Sequence, residues 1–250
     1  MSVFLTKGKL KICIADNCEE MGIEAAKAGS SILKRLLDEK DEVNIVLAAA
    51  PSQNETLKYL MKDEDIEWSR VNAMHMDEYI GYGMDSNASF AHYLNEHIFS
   101  KATFKNIYYI CCEEDYEKII KDHPIDIVFL GIGENGHIAF NDPAEAKFND
   151  EKIIKVVNLD EVCRLQQVHD GAFKTLDEVP HQATTLTIPT LMSATYLICS
   201  VPGSAKAQAV YNTINAPISE KVPATIMRRH QNVALFLDKE SASLLEIKKW

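Results

Sequence analysis

Short apolar runs alternate with amphipathic segments along almost the whole chain. Residues 43–50 are apolar at nearly every position, which is typical of a strand covered on both faces. Between such runs, apolar positions recur near the helical period of about 3.6 residues, as in residues 19–37. The alternation predicts an α/β fold with a mostly parallel sheet and helices on both of its faces.

The pattern predicts strands at residues 10–15, 43–50, 71–76, 106–111, 126–130, 153–157, 184–188, 196–201 and 233–237. It predicts helices at residues 19–37, 55–61, 89–99, 116–121, 204–213 and 241–248. No repeat, low-complexity segment or linker interrupts the pattern, so residues 1–250 are predicted to form one domain. Active sites of open α/β sheets lie beyond the carboxyl ends of strands, here after Ala50, Met76, Leu130 and Val201.

The charge balance limits the partners that the protein can have. The 250 residues include 26 Lys and Arg against 37 Asp and Glu, a formal net charge of −11. This excess gives no general attraction to nucleic acid or anionic lipid. The start lacks the apolar core of a signal peptide, and no apolar run approaches the ~20 residues of a membrane span. We predict a cytoplasmic protein in which a phosphorylated ligand needs a local cationic pocket.

The cysteines do not have the spacing of a metal site. The six are Cys13, Cys18, Cys111, Cys112, Cys163 and Cys199. None forms a C-x-x-C pair, and no neighbouring histidines complete a zinc pattern. Most lie in apolar, strand-like runs, where a thiol behaves as a small hydrophobe. The sequence therefore predicts buried, reduced thiols and no bound metal.

Residues 131–136, GIGENG, fit the pattern G-x-G-x-x-G and follow a predicted strand. A dinucleotide site needs a helix that opens directly from these glycines. Here the turn-forming pair Asn141-Asp142 and then Pro143 interrupt any such helix within about two turns. We interpret the glycines as those of a tight turn and predict no dinucleotide cofactor.

Asp77 and His137 follow strands that end at the same edge of the predicted sheet. Taken singly, Asp77-Glu78 is also typical of a solvated acidic turn, and His137 of a hydrogen-bonded structural histidine. Together, a carboxylate and an imidazole at one edge can share proton transfers on a small substrate. The serine-elbow and P-loop patterns do not occur, so acyl-enzyme hydrolysis and P-loop nucleotide binding find no support.

Two further strand exits carry groups suited to an anion. Ser52, Gln53 and Asn54 precede a predicted helix, whose first amides favour a phosphate, although the same residues suit an ordinary N-cap. Lys206 lies in the first turn of another predicted helix, where a cation opposes the helix dipole by ~0.3–1 kcal/mol. A bound anion offsets that cost, and a solvent-facing lysine is the alternative interpretation.

Three segments carry a resemblance to a known family. They are MDEYIG at residues 76–81, GIGENGHIAFNDP at 131–143 and the weaker PGSAKA at 202–207. In their order and spacing, from about residue 9 to 237, the chain resembles the glucosamine-6-phosphate deaminase/isomerase family. The resemblance implies a Rossmann-like fold, no cofactor, and conversion of glucosamine 6-phosphate and water to fructose 6-phosphate and ammonia. It also implies a homo-oligomer, the common assembly of that family.

The resemblance assigns roles to individual residues. Asp77 matches the general base that removes the proton from C2, and at an ordinary pKa of about 4 it is ionised at neutral pH. His137 matches the residue that handles the ring-oxygen proton during ring opening. Lys206 matches the phosphate-binding lysine. The arginine of the family's phosphate pocket has no unambiguous match, and Arg164 is the nearest candidate.

Three positions depart from the family pattern. The usual acid two residues before the histidine is Asn135, which exchanges no carboxyl proton. The usual glutamate five residues after the histidine is Asp142, one methylene shorter. The usual Thr-Gly-Gly phosphate loop is Ser52-Gln53-Asn54, where Asn54 tolerates the left-handed conformation better than most residues. The exact substrate and the competence for deamination therefore stay open.

Three functions fit the sequence. Deamination of an amino sugar phosphate is the leading interpretation, and galactosamine 6-phosphate is an alternative substrate because nothing resolves the C4 stereochemistry. A 6-phosphogluconolactonase-like hydrolase shares the fold and the Gly-His turn, but that family has Asp-Glu-Arg where this chain has Asp77-Glu78-Tyr79. A non-catalytic sugar-phosphate-binding protein is the third, supported by Asn135 and the altered phosphate loop.

Overall fold

The computed structural model describes residues 2–111 and 115–246. Its strands are β1 (Val3–Lys7), β2 (Leu10–Ala15), β3 (Val43–Leu47), β4 (Val71–His75), β5 (Asp77–Tyr79), β6 (Asn106–Tyr108), β7 (Ile127–Leu130), β8 (Ile154–Asn158), β9 (Gln182–Leu186), β10 (Tyr196–Val201) and β11 (Val233–Asp238). Its α-helices are α1 (Cys18–Glu39), α2 (Asn54–Leu60), α3 (Phe90–His97), α4 (Tyr116–Asp122), α5 (Glu161–His169), α6 (Ile188–Met192) and α7 (Ala207–Asn215). Short 3-10 helices lie at Pro51–Gln53, Trp68–Arg70, Phe99–Lys101, Leu176–Glu178, Ser204–Lys206 and Pro223–Arg229.

Eight strands form the main sheet, in the order β1-β2-β11-β10-β7-β3-β4-β6. Neighbouring strands are parallel except β1 and β2, which are antiparallel. The carboxyl ends of the parallel strands therefore meet at one edge of the sheet. The predicted α/β fold with a mostly parallel sheet is confirmed.

Strand β3 shows why the sheet is covered on both faces. All five of its residues are buried. Ile45 and Leu47 belong to the same core cluster as Leu33 of α1, whereas Val46 belongs to the other large cluster, with Val128. Successive side chains of a strand point to opposite faces, so a continuous apolar run is what a doubly covered strand needs.

Helix α1 begins where the sequence supplies a cap. Oδ1 of Asn17 accepts a hydrogen bond from the backbone N–H of Glu20, at 2.9 Å. Glu19 and Glu20 lie in the first turn, where negative charge is favoured by the helix dipole. The buried face of α1 then packs in the core, as the apolar period in residues 19–37 predicts.

The sequence pattern does not reveal a second, three-stranded antiparallel sheet, in the order β5-β9-β8. The strands predicted at residues 153–157 and 184–188 belong to this sheet rather than to the main one. Strand β5 is three residues long, too short to give a periodic signal. It pairs Asp77 with Thr185, so Asp77 lies at the passage from the main sheet to the smaller one.

The two ends of the chain also differ from the prediction. Residues 3–7 form the edge strand β1, whose side chains are mostly exposed and therefore give no apolar run. The helix predicted at residues 241–248 is wrong for its described part, because residues 241–244 are turns and 245–246 have no regular structure. The backbone N–H of Ser241 instead donates to Oδ1 of Asp238, at 2.8 Å. Residues 247–250 lie outside the described part.

The cysteines follow the prediction of burial in part. Cys13, Cys163 and Cys199 are buried, whereas Cys18 and Cys111 are partly exposed. Cys112 lies outside the described residues. Cys163 differs from the others because it lies beside polar groups of the candidate site described next.

Candidate active site

A cavity of about 530 Å³ opens at the carboxyl ends of the parallel strands. Its wall includes Ser52 beyond β3, Asp77 beyond β4, His137 beyond β7 and Lys206 beyond β10. This is the edge at which ligand sites form in open α/β sheets. The segments that follow these four strands, which the sequence analysis selected, therefore line the same cavity.

Asp77 lies in this wall with 7% of its surface exposed. Burial raises the pKa of its carboxyl well above the ordinary value of 3.8, and the neighbouring Glu78 carboxylate raises it further. The ordinary pKa expected from the sequence is therefore wrong for this residue. Once it has lost its proton, Asp77 is a stronger base than a solvated carboxylate.

Glu78, the next residue, is an anchor for helix α3. Its carboxylate accepts hydrogen bonds from Ser89 Oγ at 2.7 Å and from the backbone N–H groups of Phe90 and Ala91 at 3.1 and 2.9 Å. Burial raises its pKa, and these hydrogen bonds oppose the rise. The two neighbouring acidic residues therefore have different roles: Asp77 lines the cavity, and Glu78 accepts hydrogen bonds from the start of α3.

The glycine turn makes room for His137. The backbone N–H of Gly133 donates to the carbonyl of His137 at 3.0 Å, and Gly136 adopts a left-handed φ of 85° that favours glycine. The imidazole packs against Gly133 so closely that a Cβ there would lie 2.1 Å from its Cε1 atom. No helix opens from these glycines in the described chain, and the next one, α5, begins at Glu161.

His137 is paired with Asp142. Nδ1 of the imidazole lies 2.9 Å from Oδ1 of the carboxylate. Asp142 is fully buried, which acts to raise its pKa, but contacts with His137 and Asn135 outweigh burial and hold the pKa below its ordinary value. Asp142 therefore stays ionised beside the imidazole. A carboxylate in this place fixes the orientation of the ring.

Asn135 bridges two carboxylates rather than facing the cavity. Its Nδ2 donates to Asp142 Oδ1 at 3.0 Å and to Asp160 Oδ2 at 3.1 Å, and its Oδ1 accepts from the backbone N–H of His137 at 3.0 Å. Both hydrogens of the amide are thus used, and an aspartate could supply neither. Asp160, which the sequence analysis missed, also caps α5 through the N–H of Cys163 at 2.7 Å. An aspartate before a helix is its sequence signal.

Lys206 supplies a buried cation to the cavity. It is 8% exposed, and its Nζ has no hydrogen-bond partner among the described residues. Burial lowers its pKa, against the opposing influence of the Asp170 and Glu134 carboxylates. A buried ammonium without hydrogen bonds is costly, so the site favours a bound anion.

Of the predicted phosphate loop, only Ser52 lines the cavity. Nε2 of the buried Gln53 lies 3.0 Å from Ser52 Oγ and 3.1 Å from the carbonyl of Leu130, so it ties the loop to β7. The side chain of Asn54 contacts the hydroxyl of Tyr93. Its φ of −50° is right-handed, so the loop does not use the left-handed conformation that Asn54 tolerates.

Arg164 does not reach the cavity. Its Nη2 donates to the carbonyls of Leu176 and Val179, at 2.7 and 3.0 Å. The guanidinium therefore holds the 3-10 turn that follows α5, and the prediction that it belongs to the phosphate pocket is wrong. No arginine among residues 2–111 and 115–246 lines this cavity.

The end of α5 contributes wall residues that the sequence analysis missed. Gln166, Gln167 and Asp170 line the cavity, together with Tyr93. Nε2 of Gln166 donates to Asp170 Oδ2 at 3.2 Å, and Oε1 of Gln167 accepts from the hydroxyl of Tyr79 at 2.7 Å. The sequence pattern predicted no helix here, so the signal would have been Asp160 as an N-cap, followed by Gln166 and Asp170 at helical spacing.

Comparison with known proteins identifies the family. The family model described as glucosamine-6-phosphate isomerases/6-phosphogluconolactonase matches residues 16–236. The chain belongs to this family. A glucosamine-6-phosphate deaminase of Streptococcus suis is 31% identical over 244 residues, covering 94% of this chain and 100% of the relative. One from Listeria monocytogenes is 35% identical over 212 residues, covering 82% of this chain and 88% of the relative.

Solved structures agree with the fold. A monomeric glucosamine-6-phosphate deaminase superposes with a TM-score of 0.84 at 28% identity, covering 93% of this chain and 99% of that one. A 6-phosphogluconolactonase from Thermotoga maritima superposes with a TM-score of 0.74 at 20% identity, covering 91% and 99%. The second likeness concerns the fold alone. The family resemblance found in the sequence is confirmed.

Proposed function

We propose that the protein converts glucosamine 6-phosphate, or a closely related amino sugar phosphate, and water into a ketose 6-phosphate and ammonia. The observation that carries this proposal is the meeting, in one cavity, of three groups that the reaction needs. They are a buried carboxylate, a carboxylate-oriented imidazole and a buried cation without a hydrogen-bond partner among the described residues: Asp77, His137 and Lys206. The named deaminase relatives support it.

The phosphate group is held by Lys206. The ammonium is desolvated before the substrate arrives, so an incoming phosphate gains a strong charge-assisted contact without stripping water from the lysine. Ser52 lies in the same wall and offers a hydroxyl to the phosphate. This local cation overcomes the unfavourable field of a chain with net charge −11.

His137 opens the sugar ring by passing the proton of the C1 hydroxyl to the ring oxygen, so that the bond between C1 and the ring oxygen breaks and a C1 carbonyl forms. Asp142 stabilises the imidazole while it is positively charged. The Asp77 carboxylate then takes the proton from C2, whose acidity comes from the C1 carbonyl. The C–H electrons form the C1–C2 double bond while the C1–O1 π electrons move to O1, which takes a proton from water. The same carboxyl returns the proton to C1, which leaves an imine at C2. Water adds to this imine, and ammonia leaves.

The test is an assay of products with the purified protein. Glucosamine 6-phosphate should yield ammonia and fructose 6-phosphate in equal amounts, and Asp77→Asn should abolish both. Asp38→Asn, the same change at an exposed position of α1, is the matched control and should behave as the wild type. Galactosamine 6-phosphate in a parallel assay decides between the two C4 configurations.

The same panel separates the alternative functions. Acid release from 6-phosphogluconolactone, without ammonia from any amino sugar phosphate, would assign the protein to the lactonase side of its family. Binding of amino sugar phosphates by calorimetry without turnover would make it a sugar-phosphate-binding protein. Either result would overturn the deaminase proposal.

Location and assembly stay proposals. No helix in the described part of the chain is both long and apolar enough to cross a membrane. We propose the cytoplasm as the location and a homo-oligomer as the assembly, although the deaminase that superposes with a TM-score of 0.84 is described as monomeric. Light scattering on the eluted protein, across a range of concentrations, tests the assembly. A monomer at all concentrations would contradict it.

A further inference from the structure

The loop that carries Lys206 is held by a buried carboxylate. Asp238, the last residue of β11, is 4% exposed. The backbone N–H of Gly203 lies 3.1 Å from its Oδ1 and 3.0 Å from its Oδ2 and donates to both. The backbone N–H of Ser241 also donates to Oδ1, at 2.8 Å, and Ser241 Oγ accepts from the backbone N–H of Asp238 at 3.2 Å. The carboxylate that receives Gly203 is therefore fixed to the end of its own strand.

The strand that carries this carboxylate lies inside the main sheet. β11 is paired on both sides, Asp238 with Ala15 of β2 and Leu237 with Val201 of β10. Groups on such strands are held more precisely than groups on loops. Asp238 therefore links a rigid strand to the loop that follows β10.

Gly203 is the loop residue that needs such a contact. It has a φ of 89° and a ψ of 150°, in the left-handed half of the conformational map that favours glycine. A glycine also reaches many other conformations, so the hydrogen bond to Asp238 selects this one. The carbonyl of Gly203 in turn accepts the backbone N–H of Lys206, at 3.1 Å. A chain of hydrogen bonds thus runs from Asp238 through Gly203 to the backbone of Lys206.

The ammonium of Lys206 has no hydrogen bond that could replace this support. Its Nζ is buried and finds no partner among the described residues, so its place in the cavity depends on the backbone that carries it. The carboxylates that oppose the lowering of the Lys206 pKa are those of Asp170 and Glu134. Asp238 also borders the cavity, but N–H groups occupy its oxygens and its charge would repel a phosphate. Its contribution to anion binding is therefore made through the backbone.

We propose that Asp238 is a positioning residue for substrate binding, which holds residues 202–206 through the N–H of Gly203 so that Lys206 presents its ammonium to the phosphate. It touches no substrate atom and moves no proton. The phosphate-binding role of Lys206 comes from the proposed function, on which this inference rests. Loss of the Asp238 carboxylate should therefore weaken the binding of phosphorylated ligands and leave turnover at saturating substrate unchanged.

Asp238→Asn tests the contact with little change of size. Because the N–H of Gly203 contacts both oxygens, either orientation of the amide places an NH₂ group against it. KM for glucosamine 6-phosphate should rise about tenfold, the smallest factor typical of a hydrogen bond to a charged group, with kcat within about twofold of the wild type. An unchanged KM, or a large fall in kcat at constant KM, would overturn the proposal.

Asp126→Asn is the matched control. Asp126 is also a buried carboxylate that accepts a backbone N–H, that of Asn44 at 2.9 Å, but it precedes β7 at the opposite edge of the sheet. This variant should lose stability and keep the wild-type KM. An equal rise of KM in both variants would reduce Asp238 to a structural residue and refute the proposal.

Gly203→Ala interrupts the same chain of hydrogen bonds without altering the buried carboxylate. An added Cβ meets no atom within 4 Å, but the left-handed φ disfavours alanine, so the loop should shift and KM should rise as in Asp238→Asn. Gly8→Ala has the same kind of strain in the turn between β1 and β2 and should keep wild-type kinetics. A wild-type KM in Gly203→Ala would contradict the proposal even if Asp238→Asn does not fold.

A double-mutant cycle with Lys206→Met separates positioning from a general loss of structure. Once the ammonium is absent, adding Gly203→Ala or Asp238→Asn should change KM by less than about twofold, because the group that they position is gone. Multiplicative effects of the two substitutions would refute the proposal.

Binding of sorbitol 6-phosphate, measured by calorimetry, tests the inference without turnover. This ligand carries the phosphate but neither a carbonyl nor an amine, so it cannot react. Its Kd should rise about tenfold in Asp238→Asn and stay unchanged in Asp126→Asn. If the wild type shows this pattern of binding but releases no ammonia, the deaminase function is refuted and the role of Asp238 stands. Equal Kd values in the wild type and Asp238→Asn would refute that role, whatever the activity.

Discussion

Replacing Gly133 by alanine tests whether the glycine turn positions His137, the histidine of the proposed mechanism. A Cβ at this position would lie 2.1, 2.2 and 2.4 Å from Cε1, Nε2 and Nδ1 of His137. Ordinary van der Waals contact begins at 3.4 Å, so the ring must move by more than 1 Å. A movement of this size would disturb the 2.9 Å contact between Nδ1 and Asp142 Oδ1.

The magnitude follows from the size of this displacement. A misplacement of about 1 Å in a catalytic group can lower the rate by about 100-fold. We therefore expect kcat/KM for ammonia release to fall by about 100-fold in Gly133→Ala, equivalent to about 2.7 kcal/mol of transition-state stabilisation. The loss should lie mainly in kcat, because Lys206, which holds the phosphate in the proposed mechanism, is untouched.

Gly83→Ala is the matched control. A Cβ at Gly83 meets no atom within 4 Å, and the backbone there is not left-handed, so this variant should keep wild-type kinetics. Circular dichroism and the melting temperature must show that both variants are folded. A folded Gly133→Ala protein with kcat/KM within about threefold of the wild type would refute the argument, since that corresponds to under 1 kcal/mol.

Three further substitutions address the charges of the site. Asp77→Asn should lower the rate of deuterium exchange at C2 by ~10²–10⁴. Because the pKa of the Asp77 carboxyl is raised in the folded protein, the variant should also have a higher free energy of unfolding than the wild type at neutral pH. This difference should disappear below about pH 4, where the carboxyl is protonated in both the folded and the unfolded wild type. Lys206→Met should raise KM about 10–100-fold and leave kcat nearly unchanged, and a large fall in kcat at constant KM would contradict the assignment. Asn135→Asp should lower both the melting temperature and the rate of ammonia release, because it adds a third carboxylate beside Asp142 and Asp160. A rate increase of about tenfold, equivalent to about 1.4 kcal/mol of transition-state stabilisation, would instead indicate that the wild type is a decayed enzyme.

The parts of the site that the sequence predicts are those governed by local rules. Asp77, His137 and Lys206 each follow a strand that the apolar pattern of the sequence predicts. The carboxyl ends of parallel strands lie at the same edge of the sheet. That rule alone is enough to bring the three side chains to one cavity. The chemical roles of these residues could be predicted only from the family resemblance, because a carboxylate in a loop does not by itself indicate a reaction.

The wrong predictions depend on contacts between distant residues. Arg164 donates to the carbonyls of Leu176 and Val179, which no spacing rule anticipates. Asn54 contacts Tyr93, which belongs to another helix, α3. The smaller sheet was missed for the same reason, because β5 is short and its partners come much later in the chain. Residues 1–250 as one domain stays a prediction.

Two opposite pKa shifts in the cavity wall indicate that the free site lacks a charge partner for each group. If Asp77 and Lys206 formed an ion pair, the pKa of the carboxyl would fall and that of the ammonium would rise. The opposite holds: burial raises the pKa of Asp77 and lowers that of Lys206. Each group is therefore desolvated and neither neutralises the other, which lowers the stability of the free protein. A substrate with a phosphate at one end and an acidic C–H at the other satisfies both groups at once, whereas a neutral sugar without phosphate would leave Lys206 buried and uncompensated.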